Sequence, residues 1–233
     1  MIPVWLHTLA VLSLLAGLAI AVVIAFDVLR YPQHMGVMNV VWPVTALYGG
    51  VLALWFYFRH GRQVPDAQAH RHQKPFPLIV ATGTTHCGAG CMLGDIVAEW
   101  LAFLIPAVAF WFGWQTLFAD KMFAVWVLDF LFAFVIGIGF QYFAIVPMRG
   151  LSFGPGIVAA LKADTLSLMA WQIGMYGFMA LAQFGYFRPQ TGQPVAVNTP
   201  EFWFTMQIAM LAGFVTSYPV NWWLIRAGIK EKM

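Results

Sequence analysis

The sequence predicts an all-α, polytopic membrane protein: a bundle of six transmembrane helices forming a single integral membrane domain. Three observations predict it. Of 233 residues, 61% are hydrophobic and only 9% are charged, against roughly 25% charged in soluble domains. The apolar residues fall in runs long enough to cross a hydrocarbon core of about 30 Å, which takes ~20 helical residues. The few basic residues sit between the runs, the pattern that encodes membrane topology. Continuous runs favour helices over a barrel, whose strands alternate in polarity. The net charge of +3 forms no basic stripe, and no Gly-rich phosphate loop or nucleic-acid motif is present. Nucleic acid is therefore not an expected partner, whereas the lipid bilayer is.

The first span covers about residues 3–26. It lacks the positively charged start of a signal peptide, and its apolar run exceeds the usual ~7–15-residue core. The second covers about 39–58. The third segment lies within 77–114, which as one helix would be about 57 Å long, too long for a simple crossing. Its stretch ATGTTHCGAG, 81–90, is polar and rich in glycine and threonine, which often marks a broken membrane helix. Of two solutions, a re-entrant or interfacial piece over 77–86 with a span at 87–112 is favoured over one long tilted helix that projects into the cytoplasm. The fourth, fifth and sixth spans cover about 122–146, 164–187 and 202–225. Pro219 is expected to bend the last turns, with Tyr218, Trp222 and Trp223 in an inner aromatic belt.

Six such crossings divide the basic residues unequally. Arg59, Arg62, Arg71, Lys74, Arg149, Lys162, Arg226, Lys230 and Lys232 fall on one side, and Arg30, Lys121 and Arg188 on the other. The positive-inside rule then places both termini in the cytoplasm.

The chemistry concentrates in TTHCGAGCMLGDIVAEW, residues 84–100, which holds both cysteines of the chain. On a helix, Cys87 and Cys91 are i,i+4 neighbours. Asp95 continues their face and Glu99 drifts slightly round it. His86 joins this ladder only where the backbone is distorted. Two thiols and an imidazole suit Cu(I) or Zn(II). The spacing is neither C-x-x-C nor C-x-x-C-H, so thioredoxin-like chemistry and covalent haem are not indicated. A packing reading stands beside the metal reading: cysteine behaves as a small hydrophobe, and Gly90 to Gly94 is a G-x-x-x-G.

The acids carry a stronger argument. A charged side chain at the bilayer centre costs ~2.5–3.5 kcal/mol on insertion scales. Asp95, Glu99 and Asp129 all fall inside apolar runs, with no basic residue at their depth. Each must be protonated, solvated, hydrogen-bonded or neutralised by a cation. A hydrogen-bonded cluster with Gln141, Gln172 and Gln207 is the packing alternative. Asp27, beside Arg30, and Asp164 read as boundary residues. His34, Met35 and Met38 form a secondary metal candidate on the outer side, since thioether and imidazole suit copper. His60, His70 and His72 read as solvated loop residues, and His7 as interfacial.

The segments THCGAGCMLGDIVAEW, GFQYFAIVPMRG (139–150), ALKADTLSL (160–168) and TSYPVNWWLIRAGIKEKM (216–233) together resemble the family known as domain of unknown function 4396, from the second helix to the C-terminus. The resemblance implies a bacterial cytoplasmic-membrane protein with His86, Cys87, Cys91, Asp95 and Asp129 among its motif residues. It implies no activity.

The leading expectation is an inner-membrane protein that binds or moves a transition metal, copper or zinc before iron. His86, Cys87 and Cys91 would form a soft site, with Asp95, Glu99 and Asp129 deeper. One alternative is a non-catalytic accessory subunit, docked on a membrane partner or a second copy. Another is a thiol-redox protein using Cys87 and Cys91. No enzymatic machinery beyond that thiol pair is evident.

Overall fold

The computed structural model describes residues 2–63 and 74–232. Its helices are α1 (Val4–Arg30), α2 (Met38–Phe56), α3 (Phe76–Leu104), α4 (Ala107–Trp111), α5 (Lys121–Arg149), α6 (Phe153–Ala182), α7 (Arg188–Thr191) and α8 (Pro200–Arg226). One π-helical turn, Tyr57–Gly61, extends α2, and a second, Gln183–Phe187, joins α6 to α7. Six helical segments are long and apolar enough to cross a membrane, and no strand occurs among the described residues. The fold is an all-α membrane bundle.

Local chemistry sets several boundaries. Asp120 caps α5 by accepting from the Met122 amide at 3.1 Å. Gly150 ends the same helix in a left-handed conformation, φ 62°, a common way to stop a helix.

The second apolar segment is folded on itself. Gly50 has φ 49° and ψ −129°, a glycine-specific turn conformation. The Trp42 ring then packs on Phe56 and Tyr57, with centroids 5.7 and 5.4 Å away. A straight helix would hold Trp42 and Tyr57 about 22 Å apart. Gly61 lies against the same indole, where a Cβ would not fit. Beside the turn, Gln207 Nε2 donates to the Leu47 carbonyl at 2.6 Å, and Ser13 donates to Gln207 Oε1 at 2.7 Å. Non-helical backbone at membrane depth needs such internal partners. The chain therefore leaves this segment at the end of the bundle where it began.

The third segment is unbroken, contrary to expectation. α3 starts at Phe76 rather than 87, and every residue to Leu104 is helical. Its threonines do not loosen it: Thr82, Thr84 and Thr85 donate to the carbonyls of Leu78, Val80 and Thr82. Its glycines serve close packing. A Cβ on Gly90 would lie 2.9 Å from Gly137 Cα, and one on Gly94 would strike the Ala133 backbone. The expected G-x-x-x-G contact is thus made, against α5.

Specific pairs fix the direction of each helix. His7 meets Glu201 at 2.7 Å, so α1 and α8 run parallel. The Phe76 ring sits 4.7 Å from Trp222, and Trp100 stacks on Trp203, so α3 runs opposite to α8. Arg149 pairs with Glu231, and Lys230 with Asp164. Arg188 pairs with Asp120 at the far end. One end of the bundle, the basic end, therefore carries Arg30, Arg59, Arg62, Lys74, Arg149, Lys162, Arg226, Lys230 and Lys232. The other, the His7 end, carries Lys121 and Arg188. α1 starts at the His7 end and α8 finishes at the basic end, so the first and last helices leave the chain's two ends at opposite ends of the bundle.

Candidate functional site: a buried polar column

α3 is the central helix, packed by α2, α5, α6 and α8. Every residue from Thr82 to Met92 is buried, so polar groups on all its faces point into protein. His86, Cys87, Cys91 and Asp95 are fully buried, and Glu99 is 6% exposed. The unbroken helix places Cys87, Cys91, Asp95 and Glu99 along one side as the spacing predicted.

Two glycine contacts set the antiparallel register of α3 and α5. Gly90 faces Gly137, and Gly94 faces Ala133. Continued one turn in each direction, that register sets Asp129 opposite Ala98, between the levels of Asp95 and Glu99. It sets Gln141 opposite His86. Asp129 and Gln141 are fully buried. From α6, Gln172 approaches Asp95. The side-chain oxygens and nitrogens of Asp95, Asp129, His86, Gln141 and Gln172 make no well-formed hydrogen bond, although Gln172 lies close to Asp95 and the Phe140 backbone close to His86. Buried polar groups are ordinarily paired, so this concentration along one column is the candidate site. The expected glutamine cluster is only partly drawn in: Gln207 is committed to Leu47 and Ser13 instead.

The column ends differently at the two faces. At the His7 end, Glu99 lines a cavity of about 220 Å³ together with Asp120, Lys121 and Gln183. Lys121 Nζ donates to the Ala102 carbonyl at 2.9 Å. At the basic end, Lys230 Nζ donates to Asp164 Oδ1 at 2.7 Å, and both side chains are fully buried. Asp164 is therefore not a water-facing boundary residue, and Lys230 is not a solvated tail charge. Beside them Asn221 donates to Ser167 Oγ at 2.7 Å and to Ser217 Oγ at 2.9 Å.

Other expectations are revised. Asp27 pairs with Arg62 at 2.8 Å and accepts from Tyr57, not Arg30, because the hairpin returns Arg62 to the end of α1. That carboxylate holds the Arg62 guanidinium above its ordinary range. Of the outer candidates, His34 is exposed and lines a shallow cavity with Met35, while Met38 is buried in the core. They also lie at the basic end. His60 stacks against Trp55 and Phe56. His70, Arg71 and His72 lie outside the described residues. Among the described residues, no three His, Cys, Asp or Glu side chains come together as a metal-holding group. His86 is separated from the cysteine side because the helix is undistorted, and it faces α5, with its ring 6.0 Å from Phe140.

Residues 79–230 match the family described as "Domain of unknown function (DUF4396)". The chain belongs to this family. The DUF4396 match begins with α3 and ends at Lys230, so it spans the four-helix core and the buried lysine but not α1 or the hairpin. That is shorter than the resemblance from the second helix. No curated protein and no solved structure matches the chain.

Proposed function

We propose that the protein moves a cation through the polar column, with a soft transition-metal ion, copper or zinc, as the cargo class. The observation that carries this reading is the fully buried pair Asp95 and Asp129, all four oxygens unpartnered, on the same path as Cys87 and Cys91. In an apolar interior such acids are tolerable when protonated or when matched by a cation, so an arriving cation can exchange with a proton there. The thiols select soft ions. The cargo would pass between donors spaced along the column.

The basic end would face the cytoplasm of a bacterial inner membrane by the positive-inside rule. Five crossings and one re-entrant hairpin then put the N-terminus outside and the C-terminus inside. Reporter fusions that are active only in the cytoplasm test this: activity at the C-terminus alone is expected, and activity at both ends would refute it.

The functional test is reconstitution in liposomes containing zinc-, copper- and pH-responsive dyes. Wild-type protein should carry zinc or copper faster than protein-free liposomes. Asp129→Asn and the pair Cys87→Ser with Cys91→Ser should each lose most of that flux. If no cation crosses, the reading fails, and an accessory subunit seated on a membrane partner or a second copy takes its place. A thiol-redox role fits less well, since an intact helix gives an i,i+4 cysteine pair poor disulfide vectors.

A further inference from the structure

The C-terminal tail turns back into the bundle by a specific device. α8 ends at Arg226. Gly228 then takes φ 71°, and the amides of Ile229 and Lys230 both donate to the Leu224 carbonyl, at 3.0 and 3.2 Å. This reversal aims Lys230 inward. Arg149 holds the neighbouring Glu231 at the surface. The ammonium reaches Asp164 with both side chains at 0% exposure.

Asp164 is only half satisfied. Its Oδ1 accepts from Lys230, while its buried Oδ2 has no partner. That oxygen lies against α5: a Cβ placed on Gly137 would be 3.3 Å from it. Gln141 follows Gly137 by one turn on the same face, and His86 faces Gln141 across the α3–α5 contact. The side-chain oxygen and nitrogen of Gln141 and both nitrogens of His86 are buried and unpartnered. His86 also lies within electrostatic reach of both Asp164 and Lys230. One carboxylate, one amide oxygen and one imidazole are a donor set that suits a borderline divalent cation such as zinc.

We infer that Asp164, Gln141 and His86 form a cation station at the basic end of the column, and that Lys230 is a tethered cation that plugs it. The inference rests on reading the column as a cation path. It assigns His86 to Asp164 and Gln141, away from Cys87. For an ion to occupy the station, the ammonium must leave, because one carboxylate cannot balance both. Gly228 and the exposed Arg149–Glu231 pair are where the tail would release.

The test reads binding and tail motion, not flux, so it can fail while transport succeeds, or the reverse. Purified Lys230→Met protein is titrated with zinc chloride and its thermal unfolding followed. A saturable rise of about 5 °C at 100-fold excess over the dissociation constant is expected. Lys230→Met combined with Asp164→Asn, or with His86→Gln, should lose that rise. A folded Lys230→Met protein that ignores zinc would overturn the inference. Should Lys230→Met alone fail to fold, a spin label at Lys232→Cys in the otherwise wild-type chain answers the same question. Zinc should raise the label's mobility at least twofold, and bound zinc with unchanged mobility would overturn the plug.

Discussion

The two ends of the polar column solve the same problem in opposite ways. At the His7 end, Glu99 borders a cavity that Asp120 and Lys121 also line. At the basic end, Asp164 is sealed and neutralised by a lysine from the chain's own tail. Between them the oxygens of Asp95 and Asp129 make no well-formed hydrogen bond. The column therefore meets space at one end and a buried ion pair at the other. The closure is made by charge, whereas the opening is simply space. Charge makes the closed end costly to damage and the open end cheap.

The largest expected effect follows directly. Asp164→Ala strands the Lys230 ammonium in an apolar interior, which is the expensive way to break a buried pair, about 3–5 kcal/mol. Thermal unfolding in detergent should show it, and the double substitution Asp164→Ala with Lys230→Met should recover most of the loss. If the single and double variants are equally stable, the ion pair does not close that end.

A middle-sized effect concerns the hairpin that packs beside α1 and returns Arg62 to Asp27 at the basic end. Gly50→Ala places a Cβ at φ 49°, ψ −129°, and such strain costs about 1–3 kcal/mol. Gly49 is constrained differently, since its own Cβ would lie 2.9 Å from Ala53 Cβ. Loss of stability in Gly50→Ala, with the reporter-fusion pattern unchanged, is the expected result. A neutral Gly50→Ala would mean that the turn is not where the segment reverses.

These glycines explain what the sequence could and could not show. The thiol–acid ladder on α3 was legible because a four-residue spacing needs only an intact helix. Asp129 was legible because an acid inside an apolar run is conspicuous on its own. The break was sought in the wrong helix: Gly88 and Gly90 lie among polar residues and looked like a loosened segment, yet they admit Trp171 and Gly137. The real reversal sits at Gly49–Gly50 inside a uniformly apolar run, and hydropathy measures composition without sensing chain direction. Lys230 was hidden for another reason. It belongs to a charged tail, its partner is 66 residues away, and only Gly228 hints at the turn that buries it.

The smallest effect on stability should accompany one of the largest on function. Glu99→Gln keeps shape and removes only the ionisable group of the open end. Lys121 donates to the Ala102 carbonyl, so it keeps a hydrogen-bond acceptor when Glu99 loses its charge. Gln also has nearly the same volume, and a neutral amide is cheaper to bury than a carboxylate. Unfolding should therefore shift by less than about 1 kcal/mol. Transport should respond differently, because a cation entering from the cavity meets this carboxylate before Asp95 and Asp129. Losing only about 1.4 kcal/mol of stabilisation at that first station slows passage about tenfold. The same liposome assay measures it, with Glu99→Asp as the control that retains the charge. If Glu99→Gln transports at the wild-type rate, the cavity is not the mouth of the column. The open end must then be sought elsewhere, and the contrast between the two ends would no longer describe a path.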